Sequence, residues 1–260
     1  MPEGDITSES IIPLPSVSEA IILAKEDGIL AGIDVAQRVF EKIDPSLIFK
    51  KIVNDGKKFH KGDVLARLKG NSISLLKGER TALNFLQRLS GVATTTREFV
   101  QAVQGTRTKI LDTRKTTPGL RVLEKYAVKM GGGLNHRFNL SEMVLIKDNH
   151  LKIIGSIAKA VKRAKEKVRP EIKIEVEVVD FNGAQEAMKS GATMIMLDNM
   201  PLEKMKEIVD WIKGRIPIEV SGKMSLENVK AVAALGVDFI SVGALTHSSR
   251  SVDISLEFLK

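Results

Sequence analysis

The chain has 260 residues, 43% of them hydrophobic and 28% charged, enough to bury a large core as one α/β domain or as a barrel with an appended domain. It has no cysteine, which excludes disulfides and thiolate metal sites, and no apolar run approaches the roughly 20 residues that span a bilayer. Net charge is +8, but the basic residues are spread along the chain and only one Trp and one Tyr are available for base stacking, so anionic small ligands are favoured over nucleic acid. No stretch near Met1 has the layout of a signal peptide, and cytoplasm is the expected compartment.

Up to about residue 105, short strands alternate with helices. Glu19 to Ala24 reads as a strand, and Glu26-Asp27-Gly28 as a turn leading back through Ile29-Leu30. Ile33, Ala36, Val39, Phe40 and Ile43 fall at helical spacing ahead of Pro45. Leu47 to Val53 and Val64 to Leu68 read as strands of a small sheet, with His60 solvated in the turn region between them. Glu79 to Leu89 reads as a helix ended by Ser90-Gly91, which places Arg80 in its first turn, where the helix dipole disfavours a cation. Thr94-Thr95-Thr96 offers caps for a further helix up to Val103, and Gly105-Thr106 marks the expected domain boundary.

From Lys109 onward the rhythm is strand, helix, strand. Strands are expected at Lys109–Asp112, Met143–Lys147, Ile172–Val178, Met194–Leu197, Ile216–Val220 and Phe239–Val242. Helical stretches separate them, such as Gly155 to Lys167, Asn182 to Lys189, Leu202 to Lys213 and Leu226 to Leu235. Strands joined by such helices must run parallel, in a barrel or in an open doubly wound sheet.

Ligands of parallel α/β folds sit at the carboxyl ends of the strands. Here those ends carry Arg114-Lys115, Lys147-Asp148-Asn149, Glu175 and Glu177, Asp198-Asn199, Glu219 with Ser221-Gly222, and Gly243-Ala244. Arg114, Lys115, His136, Arg137 and Lys147 thus lie where short apolar runs give way to loops, a pattern suited to a ligand with several negative charges. The turns Ser221-Gly222 and Gly243-Ala244 have the form of a phosphate cradle. Glu175, Glu177 and Asp198 are either strand-end charges or hard oxygen ligands for Mg²⁺ and sugar hydroxyls. Lys147 is either a Schiff-base amine or a permanent cation, and His136 either a donor to a carboxylate or a buried ring satisfying backbone.

Several segments together resemble the quinolinate phosphoribosyltransferases, the carboxylating nicotinate-nucleotide pyrophosphorylases of NAD biosynthesis. They are Gly4-Asp5-Ile6-Thr7, Glu79 to Asn84, Leu89 to Thr94, Asp112 to Gly119, Gly131 to Arg137, Ile146 to His150, Glu175 to Val178 and Leu197-Asp198-Asn199. The resemblance implies an incomplete, about six-stranded α/β barrel (106–246) and an N-terminal α/β sandwich (1–105), which residues 247–260 rejoin. It also implies a homodimer with a shared active site, possibly assembled into a hexamer, and Arg80 reaching into the neighbouring subunit's site. Quinolinate would be held by Arg114, His136, Arg137 and that Arg80, while Lys115 and Lys147 span it and phosphoribosyl pyrophosphate. Glu177 and Asp198 would serve ribose hydroxyls and Mg²⁺-pyrophosphate, with no metal ligand assigned directly, and Ser221, Gly222, Gly243 and Ala244 would lie near a phosphate. Catalysis would rest on Lys115, Lys147, Glu177 and Asp198.

Two features depart from the family pattern. Lys223 stands where a second glycine usually follows Ser221-Gly222, and little of the family's leading helix precedes Gly4, as expected of a shortened N-terminus. The alternatives are a related transferase with another acceptor, a lyase acting through Lys147, and a non-catalytic anion-binding homologue.

Overall fold

The computed structural model describes residues 4–259, which divide into two compact units. One gathers the residues up to Arg97, the segment Gly119–Gly132 and the stretch from Ser249 onward; the other gathers Glu98–Pro118 and Gly133–Ser248. Against the expected division of 1–105 with 247–260 and 106–246, this grouping differs in its bounds and in 119–132, which clusters with the first unit.

The first unit begins with a short helix, α1 (Ile6–Ile11), capped by the Asp5 carboxylate, which accepts from the Ser8 N–H at 3.1 Å. Strand β1 (Val17–Ala24) turns into β2 (Gly28–Ile29), and helix α2 (Ile33–Ile43) follows over the range that its apolar spacing predicts. Strands β3 (Ile48–Lys51), β4 (Lys58–Phe59) and β5 (Val64–Asn71) come next. His60 is exposed, its Nδ1 2.9 Å from Asp27.

Helix α3 runs unbroken from Ser72 to Ala102, which corrects the expected stop at Ser90-Gly91 and restart at the threonines. The residues that look like helix punctuation serve packing instead. A Cβ on Gly91 would lie 2.0 Å from the Arg250 carbonyl oxygen, so the glycine admits a passing backbone. Ser90 Oγ accepts from the Ala31 N–H at 3.1 Å and Thr94 Oγ1 from the Ile29 N–H at 2.9 Å. Thr96 Oγ1 donates to the Val92 carbonyl one turn back. Arg80 accordingly sits two turns inside the helix, clear of the N-terminal dipole that a start at Glu79 would have imposed.

The chain continues through β6 (Lys109–Leu111), α4 (Arg121–Gly131), β7 (Val144–Ile146), α5 (Asp148–Ile154) and α6 (Ile157–Lys167). Then come β8 (Ile174–Val178), α7 (Phe181–Ser190), β9 (Met194–Asp198), α8 (Leu202–Ile212) and β10 (Ile218–Ser221). Last are α9 (Val229–Ala234), β11 (Phe239–Ser241), α10 (Ala244–His247) and β12 (Ile254–Phe258). Helix α4, which the sequence reading passed over, belongs to the first unit. There buried Glu124 pairs with Arg88 at 2.8 Å, and the Tyr126 hydroxyl donates to Asp55 at 2.7 Å.

In the first unit an antiparallel sheet is ordered β12-β1-β5-β3, beside the small pair β2-β4. Its core is a cluster including Ile22, Phe40, Phe59, Leu65 and Leu86, and each such side chain contributes roughly 1.5–3 kcal/mol on burial. In the second unit six parallel strands are ordered β6-β11-β10-β9-β8-β7. Among the described residues β6 and β7 do not pair with each other, so the barrel is incomplete. Strands β8, β9 and β10 are buried almost throughout, as expected of parallel strands covered on both faces. No helix among the described residues is long and apolar enough to cross a membrane.

Candidate active site

The second unit holds a cavity of about 480 Å³ at the carboxyl ends of its strands. Arg114, Lys115, His136, Arg137, Lys147, Glu177, Asp198, Ser221 and Gly222 all line it, with Leu145 and Met196 as apolar lining. Gly243 and Ala244 line an adjoining hollow of about 270 Å³ that shares Lys115, Ser221 and Gly222 with the first. Of the residues that the resemblance assigns to the site, Arg80 stands outside this set, as does the strand-end Glu175 singled out beside them. Arg80 belongs to the first unit, with 71% of its side chain exposed and Glu79 at 3.9 Å.

The cationic arc begins after β6. The Lys115 N–H donates to Thr113 Oγ1 at 3.0 Å and the Thr116 N–H to the Arg114 carbonyl at 2.9 Å, a tight turn at Arg114-Lys115. Thr246 Oγ1 fastens the turn by donating to the Lys115 carbonyl at 2.7 Å. The backbone of His136 is pinned by its N–H donating to buried Asp112 at 2.8 Å. Arg137 follows, its guanidinium donating to the Met143 carbonyl at 3.2 Å. Burial and then the neighbouring Arg114 act against the charge on Arg137 and lower its pKa, while Glu175 partly offsets them. Cations gathered against their own repulsion are the mark of a site awaiting an anion.

Lys147 follows β7 and is the N-cap residue of α5, its N–H donating to His150 Nδ1 at 2.9 Å. Its ammonium donates to Glu177 Oε2 at 2.5 Å. That is an ion pair at the cavity wall, unlike the isolated amine in apolar surroundings that Schiff-base chemistry uses. Asp198, at the end of the neighbouring strand, accepts from Asn199 Nδ2 at 2.7 Å. Glu177 and Asp198 thus add carboxylates to the same lining as the cations, a donor set suited to hydroxyls or to a hard cation carried on phosphate.

The turn after β10 is built on left-handed backbone. Gly222 and Lys223 have φ of 97° and 37° there, Asn199 after β9 has 51°, and a Cβ on Gly222 would lie 2.4 Å from Asn199 Oδ1. Asn tolerates this region and Gly is free in it, but Lys223 bears the strain of a side chain there. Lys223 therefore keeps a glycine-like conformation with a side chain in place.

A buried cluster behind the cavity wall was not legible beforehand as a unit. His136 Nε2 lies 3.1 Å from Glu175 Oε2 and 3.4 Å from Glu219 Oε2, with the ring 8% exposed and both carboxylates fully buried. Burial, the largest effect, pushes Glu175 up to about 7, opposed by its hydrogen bond with His136 and supported by the charge of Glu219. For His136 burial opposes the charged form, but the two glutamates outweigh it and draw the ring up to about 9. The hydrogen bond at Nδ1 pulls the other way, because that nitrogen accepts from the Arg137 N–H at 2.8 Å. Ser241 Oγ, a buried hydroxyl lining both hollows, has no hydrogen-bond partner among the described residues. The available signal was a carboxylate inside an otherwise apolar parallel strand, twice over, in Ile174-Glu175-Val176-Glu177-Val178 and in Ile218-Glu219-Val220.

A parallel α/β barrel whose strand ends carry an arc of cations facing carboxylates defines a protein that binds polyanionic ligands of the phosphate-bearing kind. Family models sharpen the class: the quinolinate phosphoribosyl transferase C-terminal domain matches residues 92–257, and the N-terminal domain matches residues 5–90. The chain belongs to the quinolinate phosphoribosyl transferase family. It is 46% identical over 257 residues to a probable carboxylating nicotinate-nucleotide pyrophosphorylase of Bacillus subtilis, covering 98% of this chain and 88% of that one. Identity to the chloroplastic nicotinate-nucleotide pyrophosphorylase of Arabidopsis thaliana is 44% over 272 residues, with 98% and 78% covered. Among solved structures, the nicotinate-nucleotide pyrophosphorylase of Francisella tularensis matches with a TM-score of 0.94 at 40% identity, covering 98% of this chain and 90% of that one. That of Ehrlichia chaffeensis matches at 0.95 and 38%, covering 99% and 93%.

Proposed function

We propose that this chain transfers the phosphoribosyl group of phosphoribosyl pyrophosphate to quinolinate and decarboxylates the product, giving nicotinate mononucleotide, pyrophosphate and CO₂. The observation that carries the reading is the one cavity lined by Arg114, Lys115, Arg137 and Lys147 together with Glu177 and Asp198. The guanidiniums of Arg114 and Arg137 take the two carboxylates of the pyridine diacid, for which their forked donors are suited. Lys115 and Lys147 lie between the diacid and the activated sugar, and Lys147 exchanges its Glu177 contact for substrate. Glu177 and Asp198 then hold the ribose hydroxyls. Ser221, Gly222, Gly243 and Ala244 surround the smaller hollow, which takes a phosphate group.

With the ligands so placed, the pyridine nitrogen attacks the anomeric carbon as its bond to pyrophosphate breaks. Positive charge develops on the sugar and then rests on the ring nitrogen. The bond from the ring to its 2-carboxylate then breaks, its electron pair staying on the ring carbon beside the cationic nitrogen, and that carbon takes a proton from solvent. The protein's contribution is orientation and fixed charge, with no covalent nucleophile. Mg²⁺ belongs to this proposal: the oxygen donors of Asp198 and Glu177 fit it and would hold it with pyrophosphate, where it would supply charge neutralisation for the leaving group.

The proposal extends to a homodimer in which Arg80 of each subunit completes the quinolinate clamp of the other. The exposure of Arg80 supports it, since a long cation held in open water has a partner to gain. Incubating the protein with quinolinate, phosphoribosyl pyrophosphate and Mg²⁺ tests the reading. Nicotinate mononucleotide is expected, whereas no product, or equal use of nicotinate as acceptor, would overturn it. Mixing Arg80→Ala chains with Arg114→Ala chains tests the shared site, because hybrid dimers regain activity only if the two residues serve one site from different subunits.

A further inference from the structure

Buried serines and threonines in this chain are, as a rule, engaged within the protein. Thr108 Oγ1 donates to the Val237 carbonyl at 2.7 Å, Thr246 Oγ1 to the Lys115 carbonyl at 2.7 Å, and Ser72 Oγ lies 2.8 Å from Ser16 Oγ. Ser8, Ser90, Thr96 and Ser249 are likewise hydrogen-bonded. Ser241 is the exception among the described residues: it is 4% exposed, and its Oγ has no protein partner. An unanswered buried hydroxyl is destabilising, so its presence asks for a partner that arrives with a ligand. The rival partner within the protein is Glu219, whose carboxylate oxygens are also buried without a hydrogen bond. A hydroxyl turned onto Glu219 would be structural, and losing it would weaken the fold.

The place of Ser241 favours the ligand. It ends β11, and the pairing of Glu219 with Phe239 and Val220 with Ile240 brings it level with Ser221 on β10. Both serines line the larger hollow and the smaller one, together with Lys115 and Lys223, so Ser241 stands at the seam between them. The smaller hollow has no carboxylate in its lining, only Lys115, Lys223, His247 and neutral groups, and it suits an anion that carries no metal. Glu177 and Asp198, the donors for a hard cation, lie on the larger hollow. A sugar with its phosphate ester in the smaller hollow and its anomeric carbon in the larger one therefore passes the seam beside Ser241. The oxygens of a phosphate ester dianion only accept, so the serine donates. We infer that the Ser241 hydroxyl donates to the phosphate ester of the ribosyl substrate at this seam, which makes Ser241 a further binding residue for that substrate. The inference rests on the proposed reaction for the identity of the sugar phosphate.

Two substitutions in the full chain test it. Ser241→Ala removes the donor, and Ser241→Cys fills the same space with a weak one. Ribose 5-phosphate is titrated by calorimetry, with quinolinate as the control ligand. Both variants should bind ribose 5-phosphate about tenfold or more weakly than the parent chain, with quinolinate affinity held within about twofold. The unfolding midpoint of the free Ser241→Ala protein should not fall, because the group removed has no partner there. In turnover, KM for phosphoribosyl pyrophosphate should rise by a similar factor with kcat nearly kept, as for a contact made in ground and transition states alike. Unchanged affinity for ribose 5-phosphate in either variant, or equal weakening towards quinolinate, would overturn the inference. A lowered midpoint in Ser241→Ala would overturn it too, by making the hydroxyl structural, as would a parent chain that binds no ribose 5-phosphate. Binding as expected with no nicotinate mononucleotide formed would remove the proposed reaction and leave the seam contact standing.

Discussion

A glutamate on the antiparallel sheet and a glutamate on the parallel one lead different lives. Glu19 on β1 points to water, pairs with Lys69 at 2.9 Å, and is held below the usual carboxylate range by that lysine. Glu175 on β8 is fully buried, pushed up to about 7 by its surroundings, and faces another buried glutamate across a histidine. The difference follows from sheet type. β1 alternates between a core face and an open face, so its polar positions are free to be ordinary. β8 and β10 are covered on both sides, where a carboxylate costs several kcal/mol unless it is paired. A charge kept in such a place marks the working region of the molecule, and a charge on the first sheet does not.

Substitutions can break that contrast, and the largest effects should fall in the second unit. Arg114→Ala or Arg137→Ala should lower turnover by about a thousandfold or more, with a far smaller effect on the thermal unfolding midpoint. Activity assays with a melting curve on the same preparation decide it; near-normal turnover would sink the assignment. In the first unit the order reverses. Gly91→Ala drives a methyl group into the Arg250 carbonyl and should cost about 2–3 kcal/mol in denaturant titration, with KM values unchanged in whatever protein remains folded.

Smaller effects sharpen the comparison. Lys223→Gly relieves the left-handed backbone at φ 37° and should stabilise the protein by about 0.5–1 kcal/mol, less than the full strain because glycine also frees the unfolded chain. If the Lys223 ammonium also meets phosphate, KM for phosphoribosyl pyrophosphate rises in the same variant. The least effect is expected from Arg250→Ala. Glu26 lies below its usual 4.5, first through its hydrogen bond with Arg250 and then through the Asp253 N–H. A depressed carboxylate stabilises above its unfolded pKa and loses that contribution as pH falls through the folded value. For so exposed a pair the contribution is about 0.5 kcal/mol, seen as a small shift in midpoint at pH 7 that is lost as pH falls through the folded value.

How far the sequence could be read follows the same division between local and long-range causes. The α2 boundaries were legible because an apolar stripe and Pro45 are local signals with one meaning. Ser90-Gly91 and Thr94 to Thr96 misled because the same residue types serve turns in one setting and close packing in another; the partners that decide, Ala31, Ile29 and Arg250, lie far away in sequence. The cations of the cavity were legible from their places at strand ends, since a parallel sheet brings those ends together. The tie between His136, Glu175 and Glu219 was not, because it depends on which residues of separate strands face inward at one level.

The edge strand β12 has a consequence for synthesis. Residues 254–258 pair with β1, which lies more than two hundred positions earlier, and the Gln87 carbonyl of α3 receives the Val252 N–H. While the chain is being translated, the first-made sheet must wait with an unfilled margin until nearly the whole polypeptide has left the ribosome. An exposed strand border held open that long invites pairing with a foreign strand, and expression at lower temperature or with holdase chaperones present should raise the yield of native protein.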